Sequence, residues 1–412
     1  QETFHGRYPN IHPDACDAGD AYYGHVRKAL EPEFIDALKR MYQKIKLNTE
    51  SNEQTHVSEE KTAPTETPPK NASEDSVQKS KKIMKVTFLI GNGFDLSVGL
   101  NTSYKAFFTH YINNYPDDLL AEQINRDMDN WSDLELALGR FTGKISPITK
   151  DKFWDSEYNL ENALAEYLQK ETERIHLENT EISEKTENEM YRFLTGFYKK
   201  NQDEDIGSLK RILEDASNVI EYSFITFNYT DTLEQCLNTL GKRVPSFASL
   251  PIASYKNQKA LHIHGSIRDN TMVLGVNDEN QIANADFREP DSKERLIKSD
   301  INESYGNTRK QDAQAVIENS SIICIFGMSL GETDQIWWQS IANWLRQDLS
   351  RELVIFSKKD GEFLVKKHTL QQERNIRNKF FDNGNIPVDV RRQIEKQIHV
   401  VINADLFHIR LV

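Results

Sequence analysis

Five consecutive residues, Val86, Thr87, Phe88, Leu89 and Ile90, make an apolar run, rich in β-branched and aromatic side chains, that stops at Gly91-Asn92-Gly93. Such a run ending in glycines reads as a buried strand entering a tight turn. Gly91 and Gly93 permit backbone angles or close approaches that a Cβ would obstruct. Successive N–H groups are then available to a ligand phosphate or ribose at the carboxyl edge of a parallel sheet. The stretch has neither the full G-x-G-x-x-G pattern nor the GK[ST] ending of a phosphate loop, so a tight turn without a ligand explains the same letters. Asn92 and Asp95 beside the turn suit ribose hydroxyls or a bond to the loop's own backbone.

The same punctuation recurs along the chain. Strands are expected at Tyr222 to Phe227 before Asn228-Tyr229-Thr230-Asp231, at Ala260 to His264 before Gly265, and at Met272 to Leu274 before Gly275. Others are expected at Ser321 to Phe326 before Gly327, at Glu352 to Phe356, and at His399 to Ile402. Helices are expected at 103–113, 117–126 and 232–240, and after Gly331, where Trp337, Trp338, Ile341 and Trp344 have the spacing of a buried face. Strand, loop and helix in alternation predict an α/β fold with a parallel-sheet, Rossmann-like core. A charged, helix-compatible stretch at 158–200 adds a helical insertion near 140–220, and the polar segment 279–307 reads as a surface excursion.

Several side chains at these loop positions carry candidate chemistry. Asn228 can bond a sugar hydroxyl, position a water or cap its turn, and Asp231 can cap the following helix or polarise a ligand group. Strand alternation puts His262 and His264 on one face, with His264 the better acid/base or ligand contact and a metal site lacking its third and fourth ligands. In WSDLELALGR, Trp131, Leu134 and Leu138 share a helical face; Asp133 and Glu135 serve either the helix N-terminus or a pocket. Gly327 to Gly331 also spells G-x-S-x-G around Ser329, but His264 precedes that serine, against the usual hydrolase order.

The chain has 412 residues, 38% of them in the apolar set, and a net charge of −13 without a dominant basic stripe. A general nucleic-acid or anionic-membrane surface is therefore unsupported. Cys16, Cys236 and Cys324 are too widely spaced for a disulfide scaffold or a cysteine-rich zinc site, there is no run of about 20 apolar residues, and the sequence opens without a signal-peptide pattern. A cytoplasmic location is expected. Residues 1–46 read as a short appendage with one amphipathic helix at 33–45, and 47–83 as a disordered linker. The expected globular unit spans 84–405, and a gene fusion or an alternative start would account for what precedes it.

Read together, LIGNGFDLSVGLNTSY, WSDLE, FNYTDTLE, HIHGSI and IFGMSLGETD resemble the bacteriophage abortive infection family AbiH over roughly residues 84–405. The resemblance implies a role in antiviral defence. More distantly, GNGFD, FNYTD, HIHGS and FGMSL look like the loops of sirtuin-like nucleotide-binding domains, although the four-cysteine zinc module is missing and deacetylation is disfavoured. That likeness implies Asn228 and His264 as a catalytic pair, with Asp231 or Asp95 stabilising positive charge. Gly91, Asn92, Gly93, Asp95, Gly327 and Ser329 would surround NAD+ or a related nucleotide. The expected activity is hydrolysis of NAD+ at the nicotinamide–ribose bond, with no prosthetic group required. The alternatives are a nucleotide-sensing or interaction module without turnover, and a nucleic-acid-targeting effector. The partners implied are a nucleotide, a phage-derived trigger and a second copy of the chain, with no membrane.

Overall fold

Eight strands form one sheet: β1 (Lys82–Ile90), β2 (Asn218–Thr226), β3 (Ser246–Phe247), β4 (Leu250–Ser254), β5 (Leu261–His262), β6 (Ile322–Phe326), β7 (Glu352–Ser357) and β8 (Ile398–Ile402). The computed structural model describes residues 82–199, 204–214, 218–240, 246–247, 250–254, 260–359, 365–404, 406 and 409–412. All of these belong to one compact unit, Gln78–Val412. The helix expected at 33–45, residues 47–81 of the expected linker, and Cys16 lie outside the described residues, whereas Lys82 and Ile83, expected to end the linker, open β1.

The spatial order is β3-β4-β2-β1-β6-β7-β8, with β5 also paired to β2. Every pairing is parallel except the short β3–β4 hairpin. Read from β4 to β8, this is the 3-2-1-4-5-6 succession of a doubly wound Rossmann-type sheet, whose direction of winding reverses between β1 and β6. The expected parallel α/β fold is therefore present. Ligands of such sheets occupy the crevice outside the carboxyl ends of the strands at that reversal, which here lies between the loops after Ile90 and Phe326.

Strand alternation divides the core. Val86, Phe88 and Ile90 of β1 lie in one cluster with Phe193 and Phe197, whereas Leu89 joins Ile325, Trp338 and Phe380 in another. Because both faces are covered, the central strands are almost continuously apolar. Phe88 and Phe193 anchor the first cluster with ring centroids 4.5 Å apart.

Between β1 and β2 the chain builds helices at Tyr104–Asn114, Leu119–Arg126, Leu134–Phe141, Lys150–Thr172, Thr180–Gly196 and Gly207–Glu214. Capping is explicit: Ser103 accepts from Ala106 N, Asp118 from Leu120 and Ala121 N, and Asn179 from Glu181 and Ile182 N. Phe107, Phe108, Tyr111, Phe153 and Leu160 build a third apolar cluster, which also takes in Tyr229 and Phe287.

Three expectations need correction. Residues 279–307 are not a surface excursion, because Phe287, Leu296, Ile297, Lys298 and Ile301 are all buried. Polar residues between them face solvent and hide the inward set from a composition reading. Met272 to Leu274 is not a strand, and within Ala260 to His264 only Leu261 and His262 are one. Val273 N instead bonds the His264 carbonyl across the tight Gly265 turn.

Candidate functional site

A cleft of about 1220 Å³ opens along the carboxyl edge of the sheet. Gly91, Asn92, Gly93, Asp95, Asn228, His264, Gly327 and Ser329 all line it, so eight of the nine residues singled out from sequence meet at one cavity. Asp231 does not. Its carboxylate accepts from Gln235 at 2.8 Å and faces Arg268 at 3.5 Å, and it makes no side-chain cap.

The glycine loops serve each other before any ligand. Gly91 N donates to Phe326 O at 2.9 Å and Gly93 N to Gly327 O at 2.8 Å. A Cβ on Gly91 would sit 2.6 Å from Met328 Cγ, and one on Gly93 2.5 Å from Gly327 Cα. Gly327 itself has φ +72°, in the left-handed region that glycine enters at little cost. The N–H groups of Gly91 and Gly93 are thus spent on the joint between two loops. Asn92 is likewise engaged: its Nδ2 donates to Thr102 O at 2.8 Å, and its Oδ1 accepts from Thr102 Oγ1 at 2.6 Å.

Behind this joint lies a buried polar knot. Asp95 accepts from Asn228 Nδ2 at 3.1 Å and from Thr230 Oγ1 at 2.6 Å. Burial pushes its carboxyl up to about 7 in spite of those donors. Asn228 is only 7% exposed, and with its amide nitrogen committed to Asp95 its Oδ1 has no hydrogen-bond partner. Buried side-chain acceptors without partners are uncommon and ask for an explanation, which a bound ligand or water would supply.

A second network holds the histidine. His264 Nε2 lies 3.0 Å from Asp334 Oδ1, Lys298 Nζ lies 3.1 Å from the same oxygen, and Glu135 Oε2 is 2.6 Å from Lys298 Nζ. Lys298 Nζ also donates to Thr333 O at 3.2 Å. Burial presses on all four groups. Against it, Lys298 and His264 hold Asp334 well below the usual carboxylate range, and Asp334 and Glu135 hold Lys298 above the usual amine range. Burial outweighs Lys298 at Glu135, raising it to about 7, and with Lys298 nearby it lowers His264. An ionised Asp334 accepts the Nε2 proton, which assigns the tautomer with Nδ1 as the basic nitrogen.

The two histidines diverge. His262 bonds the Asn228 carbonyl through Nδ1 at 2.9 Å and Glu234 through Nε2 at 2.7 Å, away from Asp334. The shared strand face expected for them does not exist, because the chain leaves the strand after His262 and turns at Gly265, φ +71°. Ser329 does not have the geometry of a nucleophile elbow. The positive φ falls on Leu330, at 53°, and the serine's backbone carbonyl accepts from Lys379 Nζ at 2.7 Å.

The acids of WSDLE divide between the two roles open to them. Asp133 caps its helix by accepting from Leu136 N at 3.1 Å, and Glu135 turns inward to Lys298. Asp334 closes the stretch IFGMSLGETD without having been singled out, and Lys298 stands in no motif. The one available clue was a lone lysine beside Leu296, Ile297 and Ile301 at helical spacing.

The sheet and its edge define a doubly wound α/β protein with a cleft at the reversal point, backed by two hydrogen-bond networks. The chain belongs to the bacteriophage abortive infection family AbiH, whose family model matches residues 87–356. That interval contains every residue of the two networks. No match was found among curated proteins. Among the described residues no helix is long and apolar enough to cross a membrane.

Proposed function

We propose that this abortive-infection protein binds a nucleotide in the cleft and hydrolyses NAD+ at the nicotinamide–ribose bond. The observation that carries the reading is the buried Asn228, with its unpartnered Oδ1, sharing a cleft with the Asp334-oriented His264. Strand β5 pairs with β2 in the register Thr226 to His262, so the segments holding Asn228 and His264 leave adjacent strands together. The reversal of winding between β1 and β6 is also where doubly wound sheets hold nucleotides.

Hydrolysis breaks the C–N bond to nicotinamide, which departs as a neutral base with the bonding electrons. Water forms the new C–O bond and gives up a proton. Asn228 Oδ1 accepts from the attacking water or a ribose hydroxyl, and His264 Nδ1 takes the water's proton. In its ionised form Asp95, fixed behind Asn228, favours the positive charge that develops on the ribose.

The test is to incubate the purified, activated protein with NAD+ and follow free nicotinamide. Time-dependent release that His264→Ala and Asn228→Ala abolish supports the reading. No release by the wild type under activating conditions overturns it. The alternative, nucleotide sensing without turnover, predicts saturable binding of NAD+ that those substitutions weaken while no product forms. It draws on the same unpartnered Asn228 oxygen.

A further inference from the structure

Asn228 is held at every hydrogen-bonding atom but one. Its N donates to Thr226 Oγ1 at 3.1 Å, its Nδ2 donates to Asp95 Oδ1 at 3.1 Å, and its carbonyl faces His262 Nδ1 at 2.9 Å, which leaves Oδ1. The other nitrogen of that imidazole, Nε2, lies 2.7 Å from Glu234 Oε1, in the first turn of the helix Thr232–Asn238. Neither His262 nor Glu234 lines the cleft. Both stand behind Asn228, with side chains 15% and 16% exposed.

A peptide carbonyl and a carboxylate only accept hydrogen bonds. A neutral imidazole has one N–H and satisfies one of them, whereas the imidazolium satisfies both. Burial opposes the charge, but Glu234, the Asn228 carbonyl and Asp231 outweigh it and hold His262 above its usual range. Arg268 faces Asp231 at 3.5 Å, and Asp95 lies across Asn228. Loss of a proton undoes the arrangement in a defined order. The one remaining N–H goes to the carboxylate, whose bond is charge-assisted. The Nδ1 lone pair then faces the Asn228 carbonyl, and two acceptors repel.

We propose that His262, as an imidazolium paired with Glu234, is a positioning residue that clamps the Asn228 carbonyl and so aims Oδ1 at the ligand. Resting on the reading of Asn228 as the group that meets the nucleotide, this clamp adds an upper pH limit to the site. The two histidines then work in opposite states, His264 neutral with Nδ1 as the base and His262 charged. Glu234 balances that charge, so the clamp adds no net charge beside the ribose on which hydrolysis develops a positive one.

The experiment follows the His262 ring nitrogens and the Asn228 side-chain amide by NMR as pH is raised, in the ligand-free full chain. Nicotinamide release from NAD+ is measured over the same range, in wild type, Glu234→Gln and His262→Ala. At about pH 6.5, where an ordinary histidine is half protonated, both ring nitrogens are expected to carry protons in most molecules. The Asn228 amide is expected to move as the ring titrates. Glu234→Gln offers Nε2 a donor, so the neutral ring keeps its Nδ1–H on the Asn228 carbonyl. The amide then holds its position, and the alkaline limb of release shifts to higher pH. His264 acts unprotonated and Asp95 ionised, so a limb that falls with rising pH is the clamp's signature. His262→Ala is expected to lower kcat at the wild-type optimum by about tenfold or more, as misplacement of a reacting group does. The isosteric Glu234→Gln decides the matter where that variant does not fold. A neutral His262 ring at about pH 6.5, an Asn228 amide indifferent to its titration, or a wild-type alkaline limb in Glu234→Gln overturns the clamp and leaves the hydrolysis reading standing. A wild type that releases no nicotinamide overturns hydrolysis instead, and the ring and amide signals still decide the clamp.

Discussion

A Cβ placed on Gly93 would lie 2.5 Å from the Cα of Gly327, so the first and second halves of the sheet meet at their switch point backbone to backbone. Gly93 N donates to Gly327 O across the same joint, and Phe94 N lies only 2.7 Å from where a Cβ on Gly327 would fall. Neither neighbour is the movable end of a side chain. Gly93→Ala must therefore separate two loops that share hydrogen bonds, and is expected to lower stability by about 1–3 kcal/mol, as overpacking does. Gly327→Ala adds a left-handed φ to the same clash. Urea midpoints of the two variants against wild type check this; wild-type midpoints would show that the loops are not in contact.

Lys298 is the only cation bonded to Glu135 and Asp334 among the described residues. Lys298→Met leaves buried acids facing one another, a loss of about 3–5 kcal/mol for breaking such a pair. Glu135 sits near 7 even with the lysine present, so without it the proton is held still more firmly. The deficit relative to wild type is expected to be larger at pH 8 than at pH 5, where Glu135 is protonated. Denaturant unfolding of both proteins at the two pH values measures the difference.

Asp95 is raised by burial from 3.8 to about 7. Between those values the native state keeps a proton that the unfolded chain has released. The stability this group contributes is complete below about pH 4 and is lost as pH rises toward 7. Asp95→Asn cannot titrate, so its stability is expected to vary less between pH 4 and 7 than that of wild type. A series of urea midpoints across that window decides it, and identical slopes would place Asp95 in contact with solvent.

Asp334 works against burial at His264 by favouring the imidazolium. Asp334→Asn removes that support, so the His264 pKa, already below its usual range, is expected to fall further. In the proposed hydrolysis the acid limb of nicotinamide release is then expected at lower pH. Proton NMR of the His264 ring reports the same displacement without relying on turnover, and an unmoved resonance would separate the two side chains.

Ser329 contributes only its backbone carbonyl to a described hydrogen bond. Ser329→Ala is expected to change nicotinamide release by less than about tenfold, whereas removing a true serine nucleophile costs on the order of a millionfold. Rates of the variant and wild type at saturating NAD+ distinguish the two.

Local pattern was enough for the strands that carry the cleft. An apolar run ending in glycine or asparagine marked the ends of β1, β2 and β6, because burial on both faces and a turn at the sheet edge both leave their mark within a few residues. The same logic misread Met272 to Leu274, where Met272 and Leu274 pack into the helical cluster and no ladder forms. It also misread 279–307, where buried and exposed positions alternate too finely for composition to separate them.

What the sequence by itself determined, then, is the succession of β1, β2, β6, β7 and β8 with the set of loops gathered at one edge, although β3 and β4 are absent from that reading. Hydrophobic periodicity and turn chemistry act over short stretches of chain, so one sequence suffices to read them. Only the tertiary structure decided what the glycines and charges do. Gly91 and Gly93 read as a ligand cradle until the end of the neighbouring strand β6 brings the Phe326 and Gly327 carbonyls that take their N–H groups. Lys298 lies in a stretch that reads as a surface excursion until the fold buries it between Glu135 and Asp334, which also holds His264. A buried charge must find its partner wherever the fold brings one, and that pairing leaves no local trace along the chain.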